Sequence, residues 1–237
     1  MAAGESSGRV SAKPRSLWYA ESGLPNIDPV LLLLELLVLI VSLSIHEAAH
    51  AWSANRLGDN TARLLGRLTI NPVAHVDVFG TIVLPLIAMV SNLPIIGYAK
   101  PVPVNTRNLG PDWRRKFMLV AAAGPASNLV IAVVGAAIFH LMPSGGFDGD
   151  AIARGSLFVS FLIRVVSMNV LLAVFNMLPV PMLDGGNVLA GLLKGQVAQL
   201  YDSLRPYGFL ILYGLLLTGV FATVVTPIYT VVVGWLL

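Results

Sequence analysis

Residues 30–51 read VLLLLELLVLIVSLSIHEAAHA. A helix of this length reaches across the roughly 30 Å hydrocarbon core of a bilayer. Its ionisable groups are Glu35 and the cluster His46-Glu47-Ala48-Ala49-His50. Ionisable side chains are expensive in hydrocarbon, so a cluster this dense marks a function. On a helix, residues i and i+4 share a face, so His46 and His50 can hold one metal together, with Glu47 beside it as general base. With four His and as few Glu, composition alone would produce the pattern about 0.001 times per chain, so it is no accident of composition. A helix that merely packed these groups would have to satisfy each of them or lose several kcal/mol.

The remaining composition agrees with a membrane setting. The 237 residues are 56% hydrophobic and 11% charged, with a mean hydropathy of +0.80, which excludes an ordinary soluble domain. A net charge of +3 is too small to imply a nucleic-acid partner; the expected surroundings are the lipid bilayer. There is no cysteine, so a metal must be held by His, Asp or Glu. Residues 1–29 contain Arg9, Lys13 and Arg15 among Ser, Gly and Pro. They lack an apolar core and a cleavage motif, and read as a flexible tail before a single membrane domain at 30–237.

Further apolar runs cover 78–90, 117–141, 157–180 and 207–237. The last contains Pro227 and is either one kinked span or a hairpin of two. Residues 95–104, with Pro101 and Pro103, cannot form a helix interior and read as an extended segment.

Two histidines do not complete a catalytic metal site, which usually has three protein ligands and one open position. Asp184 is the preferred third ligand. It follows the apolar run ending in Asn176-Met-Leu-Pro-Val-Pro-Met-Leu-Asp184 and precedes Gly185 and Gly186. A carboxylate in a Pro- and Gly-broken membrane segment suits backbone that lines a cavity. A plain helix cap is the competing reading. His75 and Asp77 could stand behind the ligands or simply form a turn, and His140 reads as interfacial. Glu35 and Arg164 lie near their helix starts, where snorkelling explains them; a pair between them is an alternative.

Taken together, His46-Glu-Ala-Ala-His50, Gly124-Pro-Ala-Ser-Asn128, and Asn176-Met-Leu-Pro179 with Leu183-Asp184-Gly185 resemble the site-2 protease family of intramembrane zinc metalloproteases. The resemblance spans roughly residues 36–195, and Gly58-Asp59 and Gly97-Tyr-Ala-Lys100 fit it too. It implies one Zn2+ per chain held by His46, His50 and Asp184, with Glu47 activating the attacking water. Asn176 would hold the substrate carbonyl or the developing oxyanion. Gly124, Pro125 and Asn128 would shape the packing around the site, Asn128 away from the chemistry. Residues 95–104 would lie beside the substrate, itself a transmembrane protein. The chain departs from larger members in lacking an obvious peptide-binding insertion or appended domain, and in carrying the run 78–90.

One metal shared by His46, His50 and Asp184 constrains topology. His46 lies about 24 Å along the first helix, and Asp184 ends the fourth run, so those two ends must face one side. They do so only if the run 78–90 does not cross; at about 13 residues it is too short to. The expected fold is an all-α polytopic membrane protein with a short re-entrant, extended membrane-embedded element. Ten Lys and Arg, including Arg56, Arg63, Arg67 and Arg114, then fall on one side against four on the other. The richer side reads as cytoplasmic, placing the N-terminus outside and the metal nearer the cytoplasm of a multi-pass cell-membrane protein. The function expected is zinc-dependent intramembrane endopeptidase. A metal transporter explains the ligands but not the placement of Glu47, and a catalytically silent binding homologue explains neither the intact Glu47 nor its position.

Overall fold

The computed structural model describes residues 28–84, 86–87, 100–142 and 157–237. The expected tail falls outside the described residues up to residue 27, as do residues 88–99 of the short run and the extended segment. Among the described residues the structure is helical without a strand.

Helix α1 is Pro29–Arg56. Asp28 starts it: its carboxylate accepts from the amides of Val30 and Leu31, and Pro29 occupies a first-turn position where no amide is needed. Two short turns follow, α2 at Thr61–Leu64 and α3 at Pro72–His75, then a π-helical turn at Val78–Val83. Asp77 opens that turn by accepting from the Gly80 amide at 2.8 Å, and His75 bonds the Thr69 carbonyl at 2.7 Å. Both residues therefore take part in building the turn.

Helix α4 spans Trp113–Leu141 and α5 spans Leu157–Asn176. Helices α1, α4 and α5 are long and apolar enough to cross a membrane. Their order is fixed by their contacts. His46 meets Asn128 while His50 meets Val120, so α1 and α4 run antiparallel. Glu35 meets Arg164 at 3.3 Å while Ser42 meets Asn169 at 2.9 Å, so α1 and α5 run parallel. The pair between Glu35 and Arg164 is thus formed, joining two helices. The C-terminal end of α1 and the N-terminal end of α4 therefore lie on one side. The segment joining them is clasped: the Lys100 amide donates to the His75 carbonyl at 2.9 Å, and Arg67 donates to the Lys100 carbonyl at 2.5 Å.

Lipid tails are as apolar as leucine, so close packing rather than water exclusion joins these helices. Ala132 and Ala136 of α4 lie against Val166 and Val170 of α5, all buried, and Gly135 brings the backbones close at Val165 and Val166. Leu39 and Leu43 pack on Met168 and Leu172.

After α5 the chain folds back. Helix α6 is Asp184–Leu192, α7 is Gly195–Ser203, α8 is Gly208–Leu217 and α9 is Val220–Leu236. Asp202 of α7 pairs with Arg114 of α4 and tethers this part to the bundle. The final run divides at Thr218 and Gly219, where Gly219 takes φ +73°, and Gly195–Leu217 and Ala222–Leu236 meet there at a bend of 77°. The break is not at Pro227, which sits inside α9. Helix α9 packs on α5, and its end meets His140 through a 3.0 Å bond to the Leu236 carbonyl.

Candidate metal centre

The centre lies where α1, α4 and α6 converge. One helical turn apart on α1, His46 and His50 bring their Nε2 atoms within 3.0 Å of each other. Asp184 Oδ2 stands 3.1 Å from His46 Nε2 and 3.4 Å from His50 Nε2. Three such atoms this close need a proton or a metal cation among them. Ligands about 2.0–2.1 Å from a tetrahedral metal stand about 3.3 Å apart, so the triangle fits a zinc-sized ion. His46, Glu47 and His50 together also offer ligand atoms within 4.8 Å of one another.

Glycine makes this approach possible. A Cβ on Gly124 of α4 would run into the imidazoles of both His50 and His46. In the same turn Pro125 removes the ladder bond to the Ala121 carbonyl. Asp184 is placed by a different device. Side chains at Gly185 and Gly186 would strike the backbone of Met177, Leu178 and Val180, so the returning chain lies directly against the start of α6. Met182, two residues before Asp184, takes φ +103°, a strained value for a residue with a side chain. Asp184 then opens α6, where the helix dipole favours a carboxylate.

Each histidine is also held from behind. His50 Nδ1 donates to the Val120 carbonyl at 2.7 Å, and His46 Nδ1 lies 2.6 Å from Asn128 Oδ1. Asn128 Nδ2 donates to Asn169 Oδ1 at 2.8 Å. Such partners fix the orientation of metal-binding imidazoles. Glu47 Oε2 accepts from the Val102 amide at 2.8 Å, which puts the 100–104 stretch beside the cluster.

His46, Glu47, His50 and Asp184 are therefore brought together. Asn176 is the last residue of α5, and its Nδ2 donates to the Leu172 carbonyl of its own helix at 2.9 Å. Asn128 touches His46 directly, closer to the centre than a packing role implies. Asn169 and the backbone of Val120 and Val102 were not singled out from sequence. Asn169 had a signal: an amide within an apolar run must find partners. The two backbone groups had none.

The family model described as Peptidase family M50 matches residues 34–145 and 142–218. The chain belongs to this family, the site-2 proteases. As an M50 peptidase it is a metalloprotease with a multi-pass, all-α membrane fold. It is 35% identical over 213 residues to "Putative zinc metalloprotease YwhC" of Bacillus subtilis (strain 168), covering 90% of each chain. It is 32% identical over 182 residues to "Putative zinc metalloprotease Rip2" of Mycolicibacterium smegmatis, covering 76% of this chain and 64% of that protein. No solved structure gives a significant match.

Proposed function

We propose that this M50 peptidase is a zinc-dependent intramembrane endopeptidase that cuts transmembrane segments of membrane proteins, with one zinc per chain. The observation that carries the reading is the triangle of His46 Nε2, His50 Nε2 and Asp184 Oδ2, with edges of 3.0, 3.1 and 3.4 Å, its two histidines on a helix long enough to cross a bilayer. When bound there, zinc supplies Lewis-acid polarisation of water and of the scissile carbonyl. His46, His50 and Asp184 hold it. Glu47 takes a proton from the attacking water and returns it to the leaving amine. Asn176 exchanges its bond to Leu172 for one to the substrate carbonyl or oxyanion.

A substrate helix hides its peptide bonds in its own hydrogen bonds, so it must unwind before attack. The 100–104 stretch, held beside Glu47, lies where an unwound strand would rest. The richer Lys and Arg side gives an orientation with the N-terminus outside and the centre nearer the cytoplasmic face of the cell membrane.

The test is metal content with cleavage. The purified protein should carry about one zinc, and His46→Ala, His50→Ala and Asp184→Ala should each lower occupancy and abolish cleavage of a membrane substrate. Full zinc content in all three variants overturns the ligand set. Full occupancy in the wild type with cleavage confined to soluble peptides overturns the intramembrane assignment.

A further inference from the structure

The hydrogen bonds behind His46 have only one self-consistent direction. The Val165 carbonyl can only accept, so the Asn169 atom 2.8 Å from it is Nδ2. Asn169 Oδ1 must then accept from Asn128, which presents Nδ2 at 2.8 Å. That leaves Asn128 Oδ1 facing His46 Nδ1 at 2.6 Å, where it must accept in turn. In its neutral form His46 consequently carries its proton on Nδ1 and keeps a lone pair on Nε2. Both amides are fully buried, so water cannot repair a flipped one. The second hydrogen of Asn169 Nδ2 reaches Ser42 Oγ at 2.9 Å, so the relay touches α1, α4 and α5.

We propose that Asn169 is a positioning residue for the metal centre: seated on the Val165 carbonyl, it sets the Asn128 amide and thereby holds His46 with Nδ1 protonated and Nε2 free for the metal. The inference rests on the reading of His46 as a ligand. His50 reaches the same end in one step, through a backbone carbonyl that cannot flip. His46 depends on two amides that can, and Asn169 removes that freedom. A merely structural bond between α4 and α5 would work in either direction. The direction is what matters here, because only one lets His46 offer Nε2.

The experiment uses the full chain in lipid nanodiscs, labelled with 15N-histidine. Ring-nitrogen shifts report the tautomer of the metal-free protein, and chelator competition reports zinc affinity. Wild type should show His46 protonated on Nδ1. Asn169→Leu should mix the His46 tautomers and weaken zinc binding by roughly tenfold or more, while His50 keeps its signal. Adding Asn128→Asp to Asn169→Leu should restore both, because a carboxylate accepts whichever way it is turned. Ser42→Ala removes a hydroxyl that can donate or accept and leaves the Val165 carbonyl in place, so it should keep both readouts near wild type. Unchanged tautomer and affinity in Asn169→Leu overturn the proposal, as does a loss that Asn128→Asp does not repair. Should Asn169→Leu fail to fold, Asn169→Ala decides by the same two readouts. Wild-type zinc affinity in His46→Ala would instead overturn the ligand reading, and the metal-free tautomers would still judge the relay.

Discussion

The carboxylate of Glu47 is hydrogen-bonded to the backbone amide of Val102 at 2.8 Å. Pro101 and Pro103 have no amide hydrogen, so Val102 supplies the one backbone donor within Pro101-Val102-Pro103. That donor is spent on Glu47. A substrate strand lying along this stretch must therefore find carbonyl partners there, or displace Glu47 from Val102.

Glu47→Gln tests the base. Glutamine keeps an acceptor for Val102 and the shape of the site, and Glu47 is not among the three proposed ligands. Zinc content should remain near that of the wild type while cleavage falls by about 10²–10⁴. Metal analysis beside a cleavage assay decides it. Retained cleavage would move the proton transfer elsewhere.

Gly124→Ala should weaken the centre although alanine is the better helix former by about 1 kcal/mol. Its Cβ has no place except against His46 and His50. Zinc affinity and activity should both drop. Gly214→Ala is the control, since open space surrounds that glycine in α8. It should leave zinc binding unchanged and raise thermal stability slightly, if at all.

Asn176→Ala removes a donor that the resting structure spends on Leu172. Zinc binding and folding should be retained, and cleavage should fall by at least roughly tenfold. Wild-type turnover would leave Asn176 as a helix-end residue and the oxyanion to the metal.

Asp59 predicts a pH dependence outside the membrane helices. Burial pushes its carboxyl up, but bonds from the Thr61 and Asn108 side chains and the Asn105 and Thr61 amides outweigh this and hold it below 3.8. A folded-state value below the unfolded one stabilises fully above the unfolded value and is lost as pH falls through the folded one. The stability gap between wild type and Asp59→Asn, read from thermal melts, should thus be widest near neutrality and close in acid. A gap independent of pH would mean that Asp59 acts through shape alone.

What the sequence revealed follows from which atoms do the work. His46, Glu47 and His50 announce themselves because one helical turn fixes their geometry. Asp184 required an argument, since its meeting with α1 depends on the fold-back at Gly185 and Gly186. Asn128 was placed among packing residues because nothing local tells which way its amide turns. Val120 and Val102 act through the main chain, and main-chain groups leave no letter in the sequence. The last run was left open between one kinked span and a hairpin; Pro227 lies inside a helix, which can carry proline where neighbours satisfy the freed carbonyl. Gly219, by contrast, adopts a φ that most residues avoid, and there the chain turns.

The bond between the Lys100 amide and the His75 carbonyl gives the intervening stretch a single mouth. Length added inside a closed loop costs only about 0.6 kcal/mol per doubling and leaves the distance from His50 to Asp184 untouched. A change of length between His75 and Lys100 should therefore leave His46, His50 and Asp184 in register, provided that one bond is kept.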